Sequence, residues 1–233
     1  MTFSTRKIFN TSIAFGLLAS MVSGSIIYNC KPGHVAITYD DGPYDYTSAL
    51  VDLLDSRQVK ATFFVNGKNF IDLETNTKGQ DALRKAHASG HQIASHTLSH
   101  KDLDTISGQE FEDEITELER IVYGLIQVKP AFLRPPYGNA NDDTVAKLEG
   151  RGYNVVKWST DTKDFETHSL QPEMANVKNS FNSSNIDEGF ITLSHDVYEQ
   201  TTTELTSALI DYVKSQGFEF STVADCVGEN PYR

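Results

Sequence analysis

Two adjacent carboxylates stand where a short apolar run of the chain stops. Residues 34–39 (HVAITY) have the character of a buried strand and lead into Asp40-Asp41-Gly42-Pro43, where the Gly-Pro pair predicts a turn. Two carboxylates this close repel each other, and the pKa of one of them rises unless a cation or a strong donor compensates. The pair therefore indicates either a turn whose acids cap a helix or a site that binds a cation.

Polar and titratable side chains also follow most of the other apolar runs. They are Asn66, His96, His100, Arg134, Asp161, Asp164 and His195. The spacing of four between His96 and His100 places both imidazoles on one side of a helical turn, a spacing that metal sites use. With Asp41 these histidines predict a metal site of two nitrogens and one carboxylate. The alternative for the histidines alone is an ordinary surface pair.

Strands and helices alternate along the chain. Strand-length apolar runs lie at 35–39, 61–65, 91–95, 131–134, 154–158, 190–194 and 218–222. Helical patterns lie at 47–57, 81–89, 107–125, 142–150, 172–181 and 202–216. This alternation predicts one α/β domain of about seven parallel strands, either closed into a barrel or open and doubly wound. In both architectures ligands bind at the carboxyl ends of the strands, where the polar residues fall.

Two helix boundaries carry recognisable signals. Ser107 and Glu110 have the spacing of a capping box at the start of the third helix. Gly217 predicts the end of the last long helix, because glycine readily adopts the left-handed conformation of a C-cap. Trp158, at the end of an apolar run, is interpreted as a core residue.

Charge and length limit the classes of function. The chain has 233 residues and a formal net charge of −12. Nucleic acids and anionic membranes require a basic face, so neither is an expected partner. No Gly-x-Gly-x-x-Gly follows the first strand, which argues against a dinucleotide cofactor. We expect a monomer.

The first 25 residues predict a secretory signal peptide. Arg6 and Lys7 precede the apolar stretch 13–22, and small residues follow at 23–25. The apolar stretch is too short to span a bilayer comfortably, so a retained anchor is the less favoured alternative. Cleavage near 23–27 would leave a secreted, extracellular domain of residues 26–233.

Cysteine usage fits a secreted protein. The only cysteines, Cys30 and Cys226, lie near the two ends of this domain and predict a disulfide. Asn182-Ser183-Ser184 is a glycosylation sequon.

Five ordered segments resemble the motifs of the polysaccharide deacetylases, the NodB-like carbohydrate esterases of family four. They are Tyr39–Pro43 (YDDGP), His96–His100 (HTLSH), Arg134–Tyr137 (RPPY), Asp161–Phe165 (DTKDF) and Leu193–His195 (LSH). The resemblance covers about residues 31–228. The signal peptide and the terminal cysteines are most similar to those of secreted fungal members that act on chitin. The resemblance implies a distorted (β/α) barrel.

The resemblance also implies a metal-assisted hydrolysis. Asp41, His96 and His100 would hold Zn²⁺, with Co²⁺ or another divalent metal as alternatives, and the metal would lower the pKa of a bound water and polarise the acetyl carbonyl. Asp40 would be the general base, and Arg134 would hold it by a charge-assisted, bidentate contact.

The remaining roles implied by the resemblance concern the leaving group and the substrate. His195 would protonate the leaving amine, paired with Asp164 or, alternatively, with Asp161. The Tyr137 backbone N–H would face the oxyanion, and Leu193 would line the acetyl pocket. Asn66 and Phe165 are further expected substrate contacts, with Phe165 standing where the family often has tryptophan.

The expected activity is hydrolytic N-deacetylation of N-acetylglucosamine units in chitin or chitooligosaccharides, which yields chitosan-type products and acetate. The alternatives are an O-acetyl esterase of acetylxylan and a peptidoglycan N-acetylglucosamine deacetylase. A sugar-binding protein without catalysis, and a hydrolase of non-sugar amides, are the candidates from other classes.

Overall fold

Nine short strands form one parallel sheet in the computed structural model, which describes residues 26–233. In chain order they are β1 (His34–Ala36), β2 (Thr38–Asp40), β3 (Thr62–Val65), β4 (Gln92–Ser95), β5 (Phe132–Leu133), β6 (Asn154–Val155), β7 (Thr160–Asp161), β8 (Phe190–His195) and β9 (Glu219–Phe220). Their spatial order is β6-β5-β4-β3-β2-β8-β1-β9, and β7 pairs with β8. The predicted signal peptide, residues 1–25, lies outside the described residues.

The sheet has two more strands than the sequence predicts. The run 35–39 divides at Ile37, so that β1 pairs with β8 and β9 whereas β2 pairs with β3 and β8. Strand β7 was not predicted, because two residues show no periodicity. Among residues 26–233 the hydrogen-bonded order runs from β6 to β9 without joining its ends. The expected parallel α/β architecture is confirmed, and the barrel is an open one.

Eight helices connect or flank the strands in the described part of the chain. They are α1 (Thr47–Ser56), α2 (Thr77–Ala88), α3 (Gly108–Ile126), α4 (Asp142–Glu149), α5 (Asp164–Thr167), α6 (Leu170–Ser180), α7 (Thr206–Ser215) and α8 (Val223–Val227). Single 3-10 turns lie at Pro136–Gly138 and Ser183–Asn185, and a π-helical turn, Thr201–Leu205, leads into α7. Within residues 26–233, no helix combines the length and apolar character that crossing a membrane requires.

The helix-boundary signals had mixed outcomes. Helix α2 begins four residues before its predicted start, because the Asn76 side chain accepts a hydrogen bond from the Gly79 N–H and caps it. The capping box of Ser107 and Glu110 was wrong, since the Ser107 side chain makes no capping hydrogen bond. Gly217 was correct: its φ is +85° and its N–H donates to the Lys214 carbonyl just after α7.

The alternation of β2 and β3 decides which side chains face the site. Tyr39 and Phe63 stack 5.4 Å apart in the large cluster formed with the surrounding helices. Phe64 packs on the other face of the sheet, in a smaller cluster. Because strand side chains alternate, Thr38 and Asp40 lie on the face opposite to Tyr39. Asp40 is thus presented, at the carboxyl end of β2, on the inner side of the sheet.

The predicted disulfide joins Cys30 to Cys226, with 4.5 Å between the two Cα atoms and 196 residues of sequence separation. It ties the segment before β1 to α8. Both cysteines are buried and pack with Val223 and Ala224 in the inner cluster. The bridge therefore fastens the two ends of the domain to its core.

Candidate active site

A cavity of about 410 Å³ opens at the carboxyl ends of the strands. Residues from all five sequence motifs line it together with Trp158 and Tyr198. The lining residues are Asp40, Asp41, His96, His100, Pro135, Tyr137, Gly138, Trp158, Asp161, Phe165, Leu193, His195 and Tyr198. Segments separated by more than 150 residues of sequence converge there, because parallel strands all end at the same edge.

Asp40 forms a buried ion pair with Arg134. The guanidinium Nη1 donates to Asp40 Oδ1 over 2.7 Å and to the Thr38 hydroxyl over 2.7 Å, while Nη2 donates to the Lys157 carbonyl at 3.0 Å. The guanidinium carbon also lies 4.1 Å from the Phe64 ring centroid. The charge-assisted contact with Asp40 is present, but it is made through one nitrogen, so its bidentate form is not the one that the structure has. Burial raises the pKa of Asp40, and the Arg134 charge opposes that rise.

Asp41, His96 and His100 place one ligand atom each within 4.8 Å of one another. His96 Nε2 lies 3.7 Å and His100 Nε2 lies 3.4 Å from Asp41 Oδ1. The two imidazole centroids are 4.9 Å apart. Two nitrogens and one carboxylate oxygen form the donor set of many divalent-metal sites.

The histidines are prepared to act as neutral ligands. His96 Nδ1 lies 2.7 Å from the Arg134 carbonyl oxygen, to which it can only donate, and this leaves the Nε2 lone pair for a metal. Burial lowers the pKa of His96 to about 3 and that of His100 to about 4. Near neutral pH both imidazoles are therefore neutral, and a metal would not have to displace a proton from either of them.

Among the described residues, Asp41 makes no ion pair with a lysine or an arginine. Its side chain is only 11% exposed, and the Asn69 amide donates to its Oδ1 over 3.2 Å. Burial raises the pKa of Asp41 to about 6. Arg134 reaches Asp40 and makes no ion pair with Asp41 among the residues described. The donor set and this uncompensated charge both fit a divalent cation.

His195 is paired with Asp164. His195 Nδ1 lies 2.8 Å from Asp164 Oδ1, and the His195 N–H donates to Oδ2 of the same carboxylate at 2.7 Å. Asp164 is completely buried and also accepts from the Thr201 hydroxyl. Burial lowers the pKa of His195, but the hydrogen bond and charge of Asp164 outweigh it and raise this pKa to about 9. His195 is therefore a protonated imidazole at neutral pH.

Asp161 has a different position from Asp164. It lies in the cavity wall and accepts a hydrogen bond from the Lys163 N–H at 2.9 Å. Of the two aspartates that the sequence left open as partners of His195, the structure brings Asp164 to the imidazole.

Several site residues adopt the left-handed backbone conformation that favours glycine. Asp41, Thr97, His100, Tyr137 and Lys163 have φ between +60° and +76°. Such backbone is unfavourable for side chains with a Cβ, and it persists where the surrounding structure enforces it. Here it occurs in the turns that follow β2, β4, β5 and β7, which carry the candidate ligands Asp41 and His100 and the cavity-lining Tyr137.

The expected substrate contacts lie mostly in the cavity wall. Tyr137 is 65% exposed and its ring centroid is 4.7 Å from that of His100. The Phe165 ring lies 5.6 Å from that of His195, and Leu193 is buried in the wall. Trp158, which we expected in the core, is half-buried and lines the cavity beside Gly138.

Asn66 lies behind the cavity rather than in its lining. It is 3% exposed, and its amide donates to the carbonyls of His96 and Thr97. Its Oδ1 accepts from Asn69, the residue that also contacts Asp41. The structure therefore gives Asn66 contacts that hold the loop between the two histidines.

Asp196 was missed by the sequence reasoning. It is 1% exposed and its Oδ2 accepts from the Thr47 hydroxyl. A Cβ added to Gly42 would lie 2.1 Å from the same oxygen, so this carboxylate packs directly beneath the turn that follows Asp41. Burial raises the pKa of Asp196 to about 7. Its place immediately after His195, at the end of β8, was the available signal.

The fold and site together define a hydrolase with a metal-type ligand set, a buried carboxylate and a histidine–aspartate pair in one cavity. The family model for polysaccharide deacetylase matches residues 28–156. The chain belongs to the polysaccharide deacetylase family, and it is a hydrolase of the deacetylase type.

Two curated relatives and one solved structure show the extent of the similarity. The chitin deacetylase of Colletotrichum lindemuthianum is 37% identical over 212 residues, which cover 89% of this chain and 85% of that protein. The peptidoglycan-N-acetylglucosamine deacetylase PgdA of Listeria monocytogenes is 31% identical over 84% of this chain and 39% of its own length. The solved structure of the Colletotrichum chitin deacetylase matches with a TM-score of 0.85 at 36% identity, covering 90% of this chain and 96% of that one.

Proposed function

We propose that this protein is a metal-dependent N-deacetylase that releases acetate from N-acetylglucosamine units of chitin or chitooligosaccharides. One observation carries the proposal: the ligand set Asp41, His96 and His100 shares a cavity with a carboxylate held by arginine and an imidazole held by aspartate. The 37% identical Colletotrichum chitin deacetylase supports chitin as the polymer.

Asp41, His96 and His100 would hold the metal, with Zn²⁺ the expected ion because it favours nitrogen and carboxylate ligands in such sets. A divalent cation bound there supplies Lewis-acid polarisation of the acetyl carbonyl and lowers the pKa of water. The Tyr137 backbone N–H is the proposed second donor to the developing oxyanion. Leu193 and Phe165 would enclose the acetyl methyl group in an apolar wall.

Asp40 is the proposed general base. Its Oδ1 is engaged by Arg134, and its Oδ2 lies 3.7 Å from His96 Nε2, on the side of the ligand set. Arg134 opposes the rise that burial causes in the pKa of Asp40 and so favours the ionised form, which is the form that accepts a proton from the attacking water. The same contact fixes the direction in which the carboxylate points.

His195 is the proposed general acid. Residue 195 is the register partner of Asp40 on the adjacent strand, so the base and the acid arise from neighbouring strand ends. Protonated through its pairing with Asp164, His195 can donate a proton to the leaving amine nitrogen as the C–N bond breaks. An amine leaves poorly as an anion, so this proton is essential for an amide and less important for an ester.

The proposed function is tested by acetate release and product mass spectrometry on a ladder of chitooligosaccharides, in parallel with acetylated xylan and peptidoglycan fragments. We expect release from the chitin oligomers, loss on chelation and recovery with Zn²⁺. Faster release from xylan, together with an ester rate that survives His195→Ala, would establish the O-acetyl esterase alternative. Faster release from peptidoglycan fragments would establish the second alternative.

We also propose that the protein is secreted, monomeric and glycosylated at Asn182. The disulfide between Cys30 and Cys226 supports export, because such bonds persist in oxidising compartments. Asn182 lies before a surface 3-10 turn, and its side chain accepts a hydrogen bond from the Ser184 N–H. Mass determination of the secreted protein before and after glycosidase treatment checks the cleavage site and the glycan together.

A further inference from the structure

A second cavity lies beside the catalytic one and shares a wall with it. Its volume is about 550 Å³, and Tyr198 lines both cavities. Tyr46, His168, Glu199, Gln200 and Glu204 are among its other lining residues. None of these five has a role in the proposed reaction.

Tyr198 is the residue common to the linings of the two cavities. Its ring centroid lies 5.9 Å from that of His195 and 4.7 Å from that of His168. A glycan that presents one residue to His195 can therefore place a neighbouring residue against the other side of Tyr198. The apolar faces of a pyranose ring pack on aromatic side chains, and Tyr46, His168 and Tyr198 offer three such rings.

Two carboxylates, Glu199 and Glu204, are the acidic groups that line the second cavity. Glu199 and Glu204 are exposed, and within residues 26–233 neither makes an ion pair. Gln200 Oε1 is buried without a hydrogen-bond partner, whereas the Gln200 Nε2 donates to Glu173 at 2.8 Å. No lysine or arginine of the part of the chain that the structure describes lines the cavity.

This set of groups complements a sugar that carries a positive charge. A protonated C2 amine supplies three N–H donors and one charge, whereas an N-acetyl group supplies one N–H and no charge. Charge complementarity between the two carboxylates and a cation favours the protonated amine over the N-acetyl group in the second cavity. It does not change which sugar binds in the catalytic cavity. The chain's net charge of −12 adds a long-range attraction for a positively charged sugar.

We propose that the second cavity is a subsite for a glucosamine residue, so that the enzyme prefers chains that are already partly deacetylated. The proposal rests on the proposed N-deacetylase function and specifies its substrate further. Tyr46 and Tyr198 stack on the sugar, and Glu199 and Glu204 attract its ammonium group.

The test uses the double variant Glu199→Gln/Glu204→Gln, which keeps size and removes both charges. Binding of the glucosamine trimer, which has no acetyl group to lose, is measured by calorimetry. We expect the Kd of the variant to rise about threefold to tenfold, the effect of two exposed charge contacts. For a partly deacetylated tetramer we expect a matching rise in KM with kcat unchanged, and for fully acetylated tetramer no change in either constant.

A matched control is Glu188→Gln/Glu229→Gln, which removes two exposed carboxylates that line neither cavity and make no ion pair among the described residues. It should leave the trimer Kd unchanged. Any of three results would overturn the subsite: equal effects of the two double variants, equal effects on charged and fully acetylated ligands, or no binding of the trimer to the natural protein. Failure of the proposed function looks different, because the natural protein would then release no acetate from any acetylated chitooligosaccharide.

Discussion

Arg134 Nη1 donates to Asp40 Oδ1 over 2.7 Å, and neither side chain is more than 3% exposed. A buried carboxylate is ordinarily protonated because burial disfavours its charged form. The guanidinium opposes this tendency at one carboxylate oxygen of Asp40 and leaves the second oxygen without a contact to arginine. This relation gives the two adjacent aspartates different surroundings, since Asp40 is paired with arginine whereas Asp41 makes no ion pair with lysine or arginine among the described residues.

The buried ion pair should matter for stability as well as for chemistry. Arg134→Leu removes one partner and leaves Asp40 buried without its cation, so we expect the free energy of unfolding to fall by about 3–5 kcal/mol. Arg57→Leu is the matched control, because the Arg57–Asp211 pair lies at the surface, with side chains 27% and 69% exposed, and a surface pair contributes about 1 kcal/mol or less. Urea unfolding at neutral pH measures both variants. Similar losses in the two would contradict the importance assigned to the buried pair.

Replacement of the proposed base should remove catalysis without removing the metal ligands. Asp40→Asn keeps the shape of the side chain but cannot accept a proton, so we expect kcat to fall by about 10²–10⁴-fold. Acetate release from chitooligosaccharides, in a sample whose metal content and circular dichroism match the natural protein, measures the loss. Retained activity in Asp40→Asn would exclude Asp40 as the base.

The pairing of His195 with Asp164 predicts a specific pH dependence. A general acid must be protonated, so its contribution is present below its pKa and is lost as the pH rises through about 9. Asp164→Asn removes the interactions that raise this pKa and leaves the burial that lowers it, so the alkaline limb of the kcat profile should move to lower pH. The profiles of the two proteins between pH 6 and 10 measure the shift. If the alkaline limb stays at the same pH in Asp164→Asn, that limb does not report the ionisation of His195.

Metal binding should be measurable without catalysis. The three ligand atoms are already close together, and a ligand present at 100 times its Kd stabilises the folded state by about 2.7 kcal/mol. We therefore expect added Zn²⁺ to raise the Tm of the chelator-treated protein and to have little effect on Asp41→Asn. Asp45→Asn is the control, because Asp45 is an exposed acid of the same loop that lies outside the ligand set. A Tm response in Asp41→Asn equal to that of the natural protein would place the ion elsewhere.

The disulfide should stabilise the domain substantially. It closes a loop of 196 residues of sequence separation, for which the chain-entropy relation gives about 5 kcal/mol. Cys30→Ser/Cys226→Ser should lower the urea midpoint accordingly, and a reducing agent should destabilise the natural protein but not this variant. A reducing agent that acts equally on both would show that the bridge has no such role.

Most helices were predictable from sequence because their signals are local. Apolar spacing placed α1, α3 and α4 within about two residues of their observed bounds, and Gly217 marked the end of α7. Strands were predicted less well. Strand β7 has two residues, and the division at Ile37 follows from which neighbours each half pairs with. Those neighbours are distant in the chain, so no local pattern records them.

The composition of the site was determined by the sequence alone. Residue types that can act as ligand, base and acid stand after successive apolar runs, and parallel strands necessarily bring such positions to one edge. The five motifs at residues 39–43, 96–100, 134–137, 161–165 and 193–195 indicated the family before any geometry was known.

Only the tertiary structure decided which of these groups contact each other. It paired His195 with Asp164 rather than Asp161 and formed the contact between Arg134 and Asp40 through one nitrogen. It also placed Asn66 behind the loop between His96 and His100. It also brought Asp196 beneath Gly42 and put Tyr198 between two cavities. These outcomes depend on burial and on side-chain positions that are fixed by packing. A sequence specifies which side chains are available, whereas distance and desolvation, which set pKa values and partners, exist only once the chain has folded.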